Sequence, residues 1–175
     1  MNANFFTLTT PDGPFGVITS SETPERPGTA VVLASGWTDS VAELSGQIHR
    51  SLRPEQITES APDAKIEAAV RAFYAGDFAA VGQIEVLQKS GPFRSHAWEV
   101  LRTVQPGKPV TYSDYAELSG NPQAVRAAAS ACAFNAAALF VPCHRVVRLD
   151  GSMGGFRWGV QIKESLLARE SVNAG

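Results

Sequence analysis

Cysteine is almost absent from this chain: 175 residues contain two, Cys132 and Cys143. So few thiols exclude a disulfide framework and a Cys-rich zinc site, and a reducing cytoplasm is the expected compartment. No apolar run approaches the roughly 18 residues that a spanning helix needs. The first residues, Met1-Asn2-Ala3-Asn4-Phe5-Phe6, have no basic stretch leading into an apolar one, so neither a membrane span nor secretion is expected. Charge is also sparse, at 18% of residues with a net of -2, which argues weakly against a nucleic-acid partner. The total hides an asymmetry, however. Residues 1–88 hold five Lys/Arg against eleven Asp/Glu, a net of -6, and residues 89–175 hold ten against six, a net of +4. A basic half is compatible with phosphate contacts, although a surplus of this size is also common on ordinary surfaces.

What is present is 44% hydrophobic residues, enough for a real core. Residues 5–9, 15–19 and 30–34 alternate as strands, with Pro11-Asp12-Gly13-Pro14 as a turn and 20–28 as a hairpin loop, which predicts a small β-meander. Helical spacing follows over 40–52 and over 64–74, where Ile66, Val70 and Phe73 share a face. Gln88-Lys89-Ser90-Gly91-Pro92 reads as a boundary, giving domains 1–90 and 91–175. The expected class is α/β (α+β): a β-meander domain with helices, then a mainly helical domain. In the second, 93–103 is a helix ended by Gln105-Pro106-Gly107. Thr111 caps a short helix with Asp114 three residues on, and Gly120-Asn121-Pro122 separates it from an Ala-rich helix over 123–133, a helix-turn-helix pattern. A last helix is expected over 161–168, ending near Glu170.

Two segments carry chemistry. In Pro142-Cys143-His144-Arg145-Val146-Val147 a thiol stands beside a possible base and a fixed cation, both of which raise the thiolate fraction of a thiol whose ordinary pKa is about 8.5. A cysteine after an apolar run such as Leu139-Phe140-Val141 can equally be an inert buried residue. The Ala-rich helix, with Ala124, Ala127, Ala128, Ala129, Ala131 and Ala133 and Arg126 as its single long cation, permits close approach to a partner; it could also be a good helix former that packs tightly.

Taken in order, Phe93…Trp98, Thr111-Tyr112, Asn121-Pro122…Arg126, Asn135, Pro142-Cys143-His144-Arg145-Val146-Val147, Gly155-Phe156-Arg157-Trp158-Gly159 and Lys163…Leu166-Leu167…Glu170 resemble the O6-alkylguanine-DNA alkyltransferase family (methylated-DNA–protein-cysteine methyltransferases), bacterial branch. The resemblance covers residues 91–170. It implies direct-reversal repair of double-stranded DNA: minor-groove binding by the helix-turn-helix, extrusion of O6-alkylguanine (and O4-alkylthymine), and single-turnover alkyl transfer to Cys143, without cofactor or metal. It gives His144 the proton of the thiol through a water, Glu170 the orientation of His144, and Tyr112 a hydrogen bond to guanine N3. Arg126 would fill the space of the flipped base, with Ala124 and Ala127 against the groove. Asn135 would tie the recognition helix to the active-site loop. Val146, Gly155, Phe156, Arg157 and Trp158 would form the base pocket, Arg157 through its main chain. The protein is expected to act as a monomer, alone or cooperatively along the duplex.

Three positions depart from the family pattern. Phe156 stands where many members have Tyr, and Trp158 where some have Gly, which narrows the pocket toward small alkyl groups. Ala136 replaces the usual Pro after Asn135, which is expected to loosen the loop. The residues of 1–90 match only weakly, lack the metal ligands some members carry, and are expected to be a scaffold. Without the resemblance, Tyr112 and Glu170 read as an interfacial aromatic and a solvated helix-end acid; Arg145 is expected to bond loop carbonyls or an acid, Cys132 to be a small core residue, and His49 and His96 to be surface or packing histidines. The alternative function is non-catalytic binding of alkyl lesions, known in relatives with Trp at the Cys143 position. A hydrolase using Cys143, His144 and Glu170 as a triad, or a DNA-binding regulator with an incidental cysteine, are further rivals.

Overall fold

The structure is a computed structural model and describes residues 1–172. The chain divides into two compact units, one of Met1–Lys89 with Ala136–Phe140 and one of Ser90–Asn135 with the chain from Val141 onward.

In the first unit, strands β1 (Asn2–Thr10), β2 (Gly13–Ser20) and β3 (Val31–Gly36) form an antiparallel meander, as the alternation and the Asp12-Gly13 turn dictate. The sheet order is β3-β2-β1-β4, because a fourth strand, β4 (Gln56–Glu59), pairs parallel to β1. Sequence patterning misses β4: Ile57 is its only bulky apolar residue, and pairing with β1 rather than burial makes it a strand. The predicted helix over 40–52 is a shorter α1 (Val41–Ser45) and a separate 3-10 turn at Arg50–Leu52. Gly46 closes α1, its N–H donating to Ala42 O, and His49, whose imidazole accepts from Ser51 N, caps the separate turn. Helix α2 (Ala64–Tyr74) has the expected bounds, is capped by Asp63, and buries Ile66, Ala69, Val70 and Phe73. Gly16 is required on β2: a Cβ there would lie 2.6 Å from Thr38 O.

Residues 136–140, which follow the Ala-rich helix in sequence, belong to this unit because they pair with the outer edge of β3. Ser35 N donates to Ala136 O at 2.8 Å, and Ser35 Oγ donates to Ala138 O at 2.8 Å. Ala136, expected to loosen its loop, has partners for both of its backbone polar groups. Its N–H, which a proline would lack, donates to Gln88 Oε1 at 2.9 Å, so the residue is tied at both its N–H and its carbonyl.

The second unit begins with α3 (Pro92–Leu101), its proline in the first turn. Strand β5 (Val110–Thr111) leads into α4 (Tyr112–Leu118), where Thr111 Oγ1 accepts from Asp114 N at 3.0 Å, the expected cap. Gly120, at φ +99°, ends the turn after α4. Helix α5 (Val125–Ala133) starts two residues later than expected, because Asn121 Oδ1 accepts from Gln123 N in an Asx turn that holds the backbone out of the helix. A 3-10 turn (Cys143–Arg145), strand β6 (Val146–Val147) and helix α6 (Val160–Val172) complete the unit. The α3, α4 and α5 helices are fastened by polar anchors: Tyr115 OH donates to Ala97 O at 2.6 Å and Trp98 Nε1 to Ala131 O at 2.9 Å. Among the described residues, no helix is long and apolar enough to cross a membrane.

Candidate active site

Two short strands assemble the site. β5 and β6 pair in parallel, Val110 opposite Val146 and Thr111 opposite Val147. This register sets the start of α4, with Tyr112, beside the turn that carries Cys143. Cys143 is buried, its N–H donating to Val141 O at 2.8 Å. Burial pushes its thiol up; a hydrogen bond from the Asn135 side chain and the charges of Lys163 and Arg157 pull the other way. Asn135 also donates from Nδ2 to Val141 O at 2.8 Å, so it links the end of α5 to the Cys143 turn.

His144 and Glu170 are each 1% exposed and meet directly, Nε2 to Oε1 at 2.6 Å. Burial holds the imidazole below its ordinary pKa, with Arg145 and Lys163 acting in the same sense and Glu170 against them. Glu170 is held below the ordinary carboxylate range, because its bonds to His144 and Arg145 outweigh its burial. A neutral His144 facing an ionised Glu170 carries its proton on Nε2 and donates it to the carboxylate, which leaves the Nδ1 lone pair free. Nδ1 is buried and has no hydrogen-bond partner among the described residues. Such an imidazole has one nitrogen able to accept a proton. Arg145, 5% exposed, grips the same acid, from Nε to both oxygens at 3.1 and 3.0 Å and from Nη2 to Oε1 at 2.9 Å, while its Nη1 donates to Val104 O at 2.8 Å. Both of the partner types expected for Arg145, a carbonyl and an acid, are therefore present, and the acid is Glu170.

Tyr112 is half-buried and its hydroxyl is pushed up to about 12, first by burial and then by the neighbouring thiols, so it remains a donor at neutral pH. Gly154, at φ +71°, lies against it: a Cβ there would be 3.0 Å from the hydroxyl. Phe156 and Trp158 are half-buried, and Gly155 and Arg157 are exposed. On α5, Arg126 and Ala127 are exposed and Ala128 and Ala131 face the core, and Ala124, the residue before the helix, is half-buried. Cys132 is half-buried with its thiol raised by burial. His49 and His96 are exposed.

Lys163 has a place in the site that its sequence motif did not reveal. It is 0% exposed, its Nζ donates to Val146 O at 2.7 Å and lies 5.9 Å from the centroid of the Tyr112 ring, and its charge lowers the Cys143 thiol. The signal was spacing: Lys163, Leu166 and Glu170 sit three and four residues apart, on one face of α6, and all three are buried.

Residues 92–172 match the family model described as "6-O-methylguanine DNA methyltransferase, DNA binding domain". The chain is 52% identical over 81 residues to the Escherichia coli bifunctional transcriptional activator/DNA repair enzyme Ada, a match covering 46% of this chain and 23% of Ada. It is 46% identical over 80 residues to the Kluyveromyces lactis methylated-DNA–protein-cysteine methyltransferase, 46% of this chain and 42% of that protein. These matches span less than half of either relative. The Shigella flexneri methylated-DNA–protein-cysteine methyltransferase is 31% identical over 163 residues, covering 93% of this chain and 92% of that one. The fold is that of the Mycobacterium tuberculosis O6-methylguanine methyltransferase crystal structure, with a TM-score of 0.75 at 22% identity over 99% of this chain and 94% of that one. A motif-bearing C-terminal half and an alignment that runs nearly end to end thus agree, and the chain belongs to the methylated-DNA–protein-cysteine methyltransferase family.

Proposed function

We propose that the chain repairs O6-alkylguanine, and O4-alkylthymine, in duplex DNA by moving the alkyl group irreversibly to Cys143 in a single turnover. The observation that carries this reading is a buried thiol at Cys143 followed in the chain by His144, whose Nδ1 has no partner among the described residues while its Nε2 meets Glu170 Oε1 at 2.6 Å. The start of α5 enters the minor groove through Ala127 and the preceding Ala124, whose small side chains allow close approach, and Arg126 fills the gap left by the extruded nucleotide. Extrusion costs on the order of a few kcal/mol, less for a weakened alkylated pair.

In the transfer step the Cys143 proton passes to His144 Nδ1 through a bridging water, since adjacent side chains point apart. The sulfur attacks the alkyl carbon in line, the carbon–O6 bond breaks as the carbon–sulfur bond forms, and the guanine leaves with the electron pair. Tyr112 donates to N3 as charge develops on the leaving base, which lowers the barrier only in the transition state. Arg145 holds Glu170 ionised, and Glu170 holds the imidazole in the accepting tautomer. Val146, Gly155, Phe156, Arg157 and Trp158 enclose the base. All atoms balance without a cofactor, and the thioether product leaves no nucleophile for a second round. Titrating the protein with a duplex containing one O6-methylguanine tests this: repaired guanines are expected to saturate at one per chain, and continued turnover would contradict it.

The indole of Trp158 should narrow the pocket. Replacing Trp158 by Gly is expected to increase the rate of inactivation by free O6-benzylguanine about tenfold or more; equal sensitivity of the two proteins would remove Trp158 from the account.

A further inference from the structure

A helix ends with carbonyls that no helical N–H can reach, and the aligned peptide dipoles make that end partially negative, so a cation is favoured there. At the end of α5 each of these carbonyls is taken up differently. Ser130 O accepts from Phe134 N at 2.9 Å, Ala131 O from the Trp98 indole at 2.9 Å, and Cys132 O from Asn135 N at 3.3 Å. Ala133 O accepts from Arg157 Nη2 at 3.1 Å. Two of these links lead toward the reacting thiol. Asn135 reaches on to Val141 O, and Arg157 belongs to the 155–159 segment that follows Tyr112's neighbour Gly154.

That segment is bracketed by glycines in the left-handed region, Gly154 at φ +71° and Gly159 at φ +107°. Such residues let the backbone between them swivel at little steric cost. A side-chain tie from inside the bracket to a rigid helix end removes that freedom.

We propose that Arg157 is a positioning residue, whose side chain latches the 155–159 segment to the C-terminal end of α5, so that seating α5 on a duplex fixes the wall of the base pocket. The proposal builds on the transfer function above and assigns Arg157 a side-chain role in addition to the main-chain one that the family resemblance implies. A single exposed arginine–carbonyl bond contributes little to global stability, so the effect belongs in the chemistry and not in the melting temperature.

The test compares the wild type with Arg157→Ala and Arg157→Lys in the full chain. Three quantities are read: the single-turnover rate constant at saturating protein on a duplex with one O6-methylguanine, the Kd for the unmodified duplex, and amide hydrogen exchange across 154–160 with and without that duplex. For Arg157→Ala the rate constant is expected to fall about tenfold, with the Kd changed less than twofold. Unmodified DNA should slow exchange in the segment of the wild type and leave it unchanged in Arg157→Ala. Arg157→Lys, which keeps a cationic donor, should recover part of both effects. A rate loss matched by a weaker Kd would make Arg157 a plain phosphate contact, and equal slowing of exchange in the wild type and the Ala variant would remove the latch; either overturns the proposal. If the wild type transfers no methyl group but loses its exchange response on Arg157→Ala, the latch stands and the transfer function falls.

Discussion

Glu170→Gln is expected to cost the fold roughly 3–5 kcal/mol, the penalty for leaving a buried charge without its partner, and to slow methyl transfer at least tenfold. The stability loss arises at Arg145, which is 5% exposed and donates three hydrogen bonds to the two carboxylate oxygens. A carboxamide keeps one acceptor and turns an NH2 group toward donors. The activity loss follows from the role proposed for His144, whose Nε2–H donates a hydrogen bond to the Glu170 carboxylate at 2.6 Å and so keeps Nδ1 as the acceptor. The same pair sets the acid response of the wild type. His144 and Glu170 are both held below their ordinary values of 6.5 and 4.5, so the unfolded chain binds more protons than the folded one below those values. Their contribution to stability is therefore full above about pH 6.5 and is lost as pH falls, His144 first and Glu170 later. Urea unfolding as a function of pH reads both effects. A Glu170→Gln protein with wild-type stability and transfer would contradict the role given to the acid.

Lys163→Met should separate stability from activity. A fully buried ammonium is expensive to desolvate, and burial indeed holds Lys163 below its ordinary pKa. Methionine has a similar shape and no charge to bury, so the relief offsets the lost bond to Val146 O and stability should stay within about 1 kcal/mol of wild type. The Cys143 thiol, by contrast, loses a cation that favours its thiolate, so its pKa should rise further. Transfer at neutral pH is expected to fall about ten- to a hundredfold, and the pH at which iodoacetamide alkylates Cys143 should move upward. An unshifted alkylation profile would show that Lys163 only fills space.

The parts of this molecule that sequence made legible are those governed by neighbours in the chain. Alternation over 5–9 and 15–19, the Asp63-capped stripe of Ile66, Val70 and Phe73, and the Thr111 cap of α4 are local facts, and they reappear as β1, β2, α2 and α4. Cys143 and His144 are neighbours in the chain, so their adjacency needs no fold to be read. What stayed hidden depends on distant contacts. β4 exists because of β1, some fifty residues earlier, and residues 136–140 are fixed by Ser35, about a hundred residues away. Helix α6 buries a lysine and a glutamate beside Leu166, so its inner face does not read as apolar, and the spacing of Lys163 and Glu170 takes on meaning only once His144, Arg145 and Val146 are seen against it. The Ala136 substitution shows the same limit: its freed N–H became useful through Gln88, which no local rule indicates.

The most direct test of the transfer mechanism is peptide mass spectrometry after mixing the protein with a duplex that carries one O6-methylguanine. The expected result is a single methyl increment on the peptide containing Cys143, saturating at one per chain and absent from Cys143→Ala. Binding of the lesion with no gain of mass would contradict it, and would make the protein a lesion-recognition factor in which His144, Glu170 and Tyr112 serve the fold alone.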